Sequence, residues 1–448
     1  MDKTLTIVGG GITGLAAAYL AASAGVKVRV LEAGKSFGGL LNTFSTGGNR
    51  LEKFYHHHFT HDAELHWLLK EVGLEKNLVF HESSMGVFRN GKIYPFNTPF
   101  DLLRFKPLPL WDKLLFGLSS LYLGKRADWK QSEGIAAMNW FYRYAGRKTT
   151  EALWKPLLEI KFGPYAREVP LSWMIGRLRQ RMGSRKKGDE KLGYMHGSLQ
   201  VLLDALLVHL KGMGVELLNE TRVEQLFVHG DSLDGIRTNH EEFFGGEYLF
   251  TIPTVNMLPM VAPLHTGLYE QLAAIRYFGA VCVVLEMDRP LSSIYWLNVA
   301  DEGFPFGGII EHTNLISPEE YGGLHLAYLS RYFAWEEPLA QMGKQEIADL
   351  MIGHLDRINP RFVPGWIKKV HVFKTMTAAT VCGQHFSQQV PACQTPLRHL
   401  YLANMAHVYP DERSINNSIR VAGQACRVMG MQKSDVPTQT SLAGYIGF

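Results

Sequence analysis

The sequence is poor in cysteine. Its 448 residues include four, Cys282, Cys382, Cys393 and Cys426. No two form a CxxC pair, so neither a disulfide framework nor a thiolate metal knuckle is expected, and the pattern fits a reducing, cytoplasmic compartment. Long apolar runs are missing as well. No stretch reaches the roughly 18 apolar residues that a membrane-crossing helix needs. The N-terminal LTIVGGGITGLAAAYLAASAG is apolar, but it has no basic leader and is interrupted by Gly9, Gly10, Gly11 and Gly14. It does not read as a targeting signal. Low-complexity tracts and internal repeats are absent. So is any strong charge excess: the formal net charge is +4, too small to point to nucleic acid. What is there, 46% hydrophobic and 20% charged residues, suits a globular chain with roughly two to three domain-sized cores.

The first pattern that carries chemistry lies at the N-terminus. Thr4–Val8 reads as a short buried strand. Gly9-Gly10-Gly11-Ile12-Thr13-Gly14 then matches GxGxxG, and an alanine-rich helix follows. A second strand, Val26–Leu31, ends at Glu32-Ala33. This is the whole strand–turn–helix–strand–acid unit of a dinucleotide site. Gly9 permits the tight turn, Gly11 lets the backbone approach a pyrophosphate, and Gly14 lets the helix lie close on the sheet. Ile12 and Thr13 open the helix, whose free N–H groups and positive dipole end favour phosphate. Glu32 can accept hydrogen bonds from a ribose. A second GxGxxG in this context is missing, which argues against a separate nicotinamide-nucleotide domain.

A second glycine pair follows in Ser36-Phe37-Gly38-Gly39-Leu40-Leu41-Asn42-Thr43. With the first motif it resembles the paired signatures of FAD enzymes in the amine oxidase, protoporphyrinogen oxidase and phytoene desaturase superfamily. The closest likeness is to the protoporphyrinogen-oxidase-like members. Those enzymes carry arginines where this chain has Ser36 and Leu40, so the arginine contacts do not carry over. The likeness continues in order along most of the chain. Gly193–Leu199 resembles a GG–helix segment with Ser198 for the second glycine. The strand at Arg222–Val228 resembles the one whose backbone, near Val223, holds adenine. Tyr248–Pro253 resembles the exit strand. Asn404 stands where the family has an aspartate near the ribityl chain, and Asn416–Gly423, with Ser418 and Ile419, opens a helix aimed at the flavin ring. Glu151–Leu158 with Lys161-Phe162-Gly163, and Pro95–Leu110, resemble substrate-domain segments less specifically.

The resemblance implies an α/β fold, a Rossmann-like FAD-binding domain of the glutathione-reductase-2 type interleaved with an α+β substrate domain. The expected FAD parts are 1–90, 191–253 and 392–432; the substrate parts are a helical insertion, 91–190, and a sheet, 254–391; 433–448 is a tail. It also implies noncovalent FAD and hydride removal from an organic substrate, with electrons passed to oxygen or another acceptor. In amine oxidases a lysine stands near the flavin in a G-S-V-x-K strand. Here that strand reads Gly279-Ala280-Val281-Cys282-Val283, with Val283 at the lysine position, which weighs against simple amine oxidation.

Several features bear on the substrate. Arg177, Arg181 and Arg185 are spaced four apart, with Arg179, Lys186 and Lys187 nearby. They fit either a solvated basic face or a grip on a carboxylate or diphosphate, and so a small anionic or lipid-like substrate. Leu102–Lys106 and Trp111–Leu118 mix apolar and basic residues, which fits either a packed amphipathic helix or a peripheral membrane contact. The stretch KFYHHHFTHD, Lys53–Asp62, precedes a helix over Asp62–Val72 with a Gly73 stop. If 54–59 is extended, His56 and His58 share one face, and Tyr55, His57 and Phe59 the other. Such a split disfavours a metal, and none is expected. Tyr55, His57 and His58 are instead the candidate catalytic residues, with packing as the competing explanation. Two other readings stay open: a redox-neutral flavin isomerase resembling UDP-galactopyranose mutase, and a non-catalytic carrier resembling Rab GDP-dissociation inhibitors. The sequence says nothing of oligomeric state.

Overall fold

The computed structural model describes residues 4–186, 189–264 and 266–431. Lys187 and the 433–448 tail lie outside the described residues. Five strands distant in sequence form one parallel sheet in the order Glu216–Leu218, Lys27–Leu31, Thr4–Val8, Glu247–Phe250, Leu400–Leu402. A parallel sheet has both faces covered, and this one follows the rule. Helices Ile12–Ser23, Ala63–Glu71, Leu199–Gly212 and Ile415–Val428 pack one face through Leu15, Leu65, Leu203 and Ile419. The antiparallel hairpin Val223–His229/Ser232–Thr238 with Glu242–Phe244 covers the other through Leu226, Ile236 and Phe243.

A seven-stranded sheet stands beside it, ordered Ile367–Thr380, Tyr277–Met287, His325–Phe333, Gly308–Glu311, Trp296–Val299, Met85–Arg89, Lys92–Pro95. Its second strand, Tyr277–Met287, is buried along its whole length. Met85–Arg89 falls within the 1–90 segment assigned to FAD on the sequence, yet it pairs with Trp296–Val299 in this second sheet. Helices Leu110–Lys125, Ala137–Tyr144, Lys155–Phe162 and Leu171–Gly183 are the longest elements of the insertion. The arginine series is shorter than its spacing suggested. The helix carrying Arg177 and Arg181 ends at Gly183, and Arg185 falls in a two-residue strand, Arg185–Lys186.

Candidate active site

Between the two sheets lies a cavity of about 1200 Å³, larger than the roughly 300–1,000 Å³ of an ordinary small-molecule pocket. One end is the glycine-rich turn. Gly9 sits at φ +114°, and a Cβ there would meet Thr251 Oγ1 at 2.6 Å. A Cβ on Gly14 would come within 2.0 Å of the Gly9 carbonyl oxygen, so Gly14 serves close packing of helix on strand and does not line the cavity. A Cβ on Gly11, by contrast, would meet nothing within 4 Å. It would project into the cavity that Gly11 lines. The Glu32 carboxylate accepts from Gly10 N at 2.8 Å and Gly34 N at 2.7 Å, and so fixes the turn beside the second strand. Gly38 donates its N–H to the Gly10 carbonyl at 2.8 Å, which brings the two glycine signatures together. Gly9, Ile12, Thr13, Glu32, Ala33, Gly38, Gly39, Leu40 and Val223 complete this wall.

The other end is polar and largely dry. The Glu412 carboxylate accepts from Arg177 Nη1 at 2.6 Å and also pairs with Lys161. Burial opposes its charge, but Arg177 and Lys161 overcome it and hold the carboxyl well below its usual range. Burial also pushes the Lys161 ammonium down, with Glu412 opposing. Arg413 Nη2 donates to Tyr332 Oη at 3.2 Å, while Arg413 Nε is buried with no hydrogen-bond partner. His57 Nδ1 is likewise buried and unpartnered. Burial and the nearby Arg181 charge hold the His57 imidazole well below its ordinary pKa. His56 Nδ1 donates to the Phe54 carbonyl at 2.6 Å, which leaves Nε2 as the acceptor. Burial and Arg413 lower its pKa to about 4. Tyr55 and His57 pack edge-on against Trp296, with ring centroids 5.1 and 5.2 Å away.

The sequence matches the profile described as "flavin containing amine oxidoreductase" over residues 12–411. The chain belongs to that family. It is an FAD-dependent oxidoreductase. No curated protein matches the sequence significantly. Among solved structures, a provisionally assigned protoporphyrinogen oxidase from Exiguobacterium sp. 255-15 superposes with a TM-score of 0.76 at 19% identity, over 96% of this chain and 99% of its own. Reduced UDP-galactopyranose mutase gives 0.71 at 16%, over 99% and 96%. Cyclohexylamine oxidase from Brevibacterium oxydans IH-35A gives 0.70 at 15%, over 96% and 99%. At these identities the likeness is one of fold. The residues present fit FAD. The two glycine signatures form a cradle that a side chain on Gly11 would fill, and the helix starting at Ile12 offers its free N–H groups beside it.

The flavoenzyme's cavity gathers most of the residues singled out on the sequence, but not all. Tyr55, His57, Arg177, Arg181 and Ser418 line it with the glycine wall. His58 does not. Regular strand is confined to His58–Phe59, so the expected alternation fails: the backbone bends at 53–54 and is irregular over 55–57, both His56 and His57 reach the cavity, and His58 is buried against Gly193. Ile419 is a fully buried core residue. Asn404 is buried, and its side chain is used internally: Oδ1 accepts from Ala406 N and Nδ2 donates to the Ile252 carbonyl. Ser198 stands at φ +70° and caps Leu199–Gly212 by accepting from Gln200 N. Val283 points to the core behind the sheet; Phe278, Ala280, Val281 and Cys282 line the cavity, so the part of that strand that meets the cavity carries no lysine. The lysine that does line the cavity is Lys161. Sequence reasoning missed Glu412, Arg413 and Tyr332. The acid–base run Asp411-Glu412-Arg413 just before the final helix was the available signal. Among the described residues no cluster of His, Cys, Asp and Glu is placed to hold a metal, and no helix is long and apolar enough to cross a membrane.

Proposed function

We propose that this enzyme removes hydride from an organic substrate that carries an anionic or hydrogen-bonding group, in the manner of protoporphyrinogen oxidases and desaturases. Electrons then pass to oxygen or another acceptor. One observation carries the reading: a single cavity joins the dinucleotide cradle to a buried polar end lined by His56, His57 and Arg413. When bound, FAD supplies the hydride acceptor. The chain's own residues bind and orient. Arg413, steadied by Tyr332, receives the anionic or polar group. His56 and His57, held neutral by burial, serve as hydrogen-bonding groups toward the substrate. Tyr55, Trp296, Phe278 and Trp173 form the apolar wall that keeps water out.

The same proposal includes FAD held without a covalent bond. Cys382 lines the cavity, but burial pushes its thiol up to about 12, which leaves little thiolate. All four cysteines are free and buried, in support of a cytoplasmic site of action. The division of the chain into interleaved FAD and substrate parts belongs to the proposal too, with Met85–Arg89 moved to the substrate side. A second reading has its own observation. Arg177 and Arg181 stand one turn apart on the cavity wall, a spacing that suits a diphosphate, as in the mutase-like isomerase. Arg177 is already paired with Glu412, which places this reading second. Anaerobic mixing of the FAD-loaded enzyme with candidate substrates separates the two. Bleaching of the flavin absorbance by an organic reductant supports oxidation. Turnover of a nucleotide sugar by chemically reduced enzyme alone, with no bleaching by any candidate, supports isomerisation.

A further inference from the structure

The helical insertion carries an apolar face with nothing folded against it among the described residues. Helices Pro99–Arg104 and Leu110–Lys125 show Phe100 at 72%, Leu110 at 74% and Trp111 at 67% exposure, and Leu114, Leu118 and Tyr122 are half exposed or more. The positions 111, 114, 118 and 122 recur on one side of a helix. The opposite side is the packed one. There Leu123 and Ser119 are buried, and Lys113 turns its ammonium inward to the Leu103 carbonyl at 2.7 Å. An amphipathic helix packed on its neighbours would bury its apolar stripe; this one buries the other side. At roughly 150–250 Å² per aromatic side chain, Phe100, Trp111 and Tyr122 alone expose on the order of 400 Å². That already matches the largest patch of an ordinary monomer.

The charge around this face is predominantly positive. Residues 99–150 hold nine Lys and Arg against four Asp and Glu, +5, while the whole chain is +4; the rest of the molecule therefore sums to −1. Arg104, Lys106, Lys125 and Arg126 are all exposed at the rim. A stripe of Trp, Phe, Tyr and Leu bordered by basic side chains is the arrangement by which a helix lies in the headgroup region of a bilayer. Basic residues there are drawn to anionic lipid. A second copy of this chain would bring two such rims together and meet repulsion. We propose that this face docks the enzyme on the surface of an anionic lipid bilayer. The helix beneath it, Leu171–Gly183, contributes Trp173, Arg177 and Arg181 to the cavity, so a single helix layer separates the docked lipid from the cavity wall. Whichever reaction the cavity performs, the docking stands on the surface residues alone.

Flotation of the full-length, FAD-loaded protein with vesicles tests the assignment. At low salt the enzyme is expected to float with phosphatidylcholine–phosphatidylglycerol vesicles and at least tenfold less with phosphatidylcholine alone. Leu114→Glu with Leu118→Glu should cut binding to the anionic vesicles at least tenfold while flavin absorbance and melting temperature hold. Lys125→Glu with Arg126→Glu should weaken binding and flatten its salt dependence. Three results would overturn the proposal: a wild-type protein that stays behind with every vesicle, a Leu114/Leu118 variant that floats like wild type, or a wild-type dimer in light scattering that the same variant dissociates without any flotation. The last would give the face to a second copy.

Discussion

At the scale of single residues, two adjacent histidines separate. His57 lines the cavity with Nδ1 unpartnered, whereas His58 is buried at 2% exposure and faces away from it. His57→Ala is therefore expected to slow substrate-driven flavin reduction by about 10²-fold, the lower end for a lost acid–base or hydrogen-bonding group, with FAD still bound. His58→Ala should leave that rate within a few-fold and lower stability. Stopped-flow reduction and thermal melts of both variants check this; equal rate losses would remove the distinction. Glu412 makes a different kind of prediction. It is the shared anion of Lys161 and Arg177, so Glu412→Gln leaves two partly buried cations uncompensated. A loss of about 3 kcal/mol is expected, measurable by urea unfolding. Lys161→Met in the same background should recover part of it, because it removes one of the stranded charges.

The elements show why some of this was legible in the sequence and some was not. The dinucleotide turn is local: strand, glycines, helix and Glu32 lie within Thr4–Glu32, and Gly9 and Gly14 each answer a contact their neighbours impose. Gly14 against the Gly9 carbonyl is one such contact. Such patterns are read directly. The polar end of the cavity is not local. Lys161 and Glu412 are 251 residues apart, and Arg177 and Glu412 are 235 apart, so no spacing rule links them. The histidine stretch failed for a third reason, since strict alternation assumes a strand and the backbone bends at 53–54 and stays irregular over 55–57. Between its two bulges the strand Tyr277–Met287 alternates, with Val281, Val283 and Leu285 in one core and Cys282 and Val284 in another, and this yields a prediction. Position 283 packs with Ile347 and Met351 behind the sheet, so Val283→Lys cannot deliver an amine to the cavity. It should bury a charge and destabilise the fold by several kcal/mol. Ala280→Lys, on the cavity face, should fold better and perturb the flavin spectrum. A stable, spectrally altered Val283→Lys would refute this facing.

Over the whole molecule, the buried titratable groups set how stability responds to acid. Burial, as the leading cause, lowers the pKa of His56 and His407 to about 4 and of His58 and His312 to about 3. His57, His61, His66 and His325 are lowered as well. An unfolded imidazole titrates near 6.5. As pH falls below that value the unfolded chain takes up protons the folded one refuses, and stability drains away between about 6.5 and 4. Four carboxyls act in the opposite sense. Burial raises Asp62 and Glu311 to about 7 and lifts Glu52 and Asp411 too. Their contribution is full below the unfolded carboxyl range and is lost as pH rises through the folded value. The imidazoles are more numerous, so the melting temperature should drop from pH 6.5 to pH 4.5, each excess proton adding about 1.4 kcal/mol per pH unit to the slope. Asp62→Asn isolates one opposing member. Asp62 Oδ2 accepts from Phe59 N at 2.8 Å, a bond the amide oxygen can keep. The variant should melt higher than wild type at pH 7.5 and lose stability more steeply on acidification, by about one proton's worth of slope. A shallower acid limb in Asp62→Asn would mean that the buried carboxyl is ionised in the folded enzyme after all, held so by Arg420 and the Phe59 amide against the burial that opposes it.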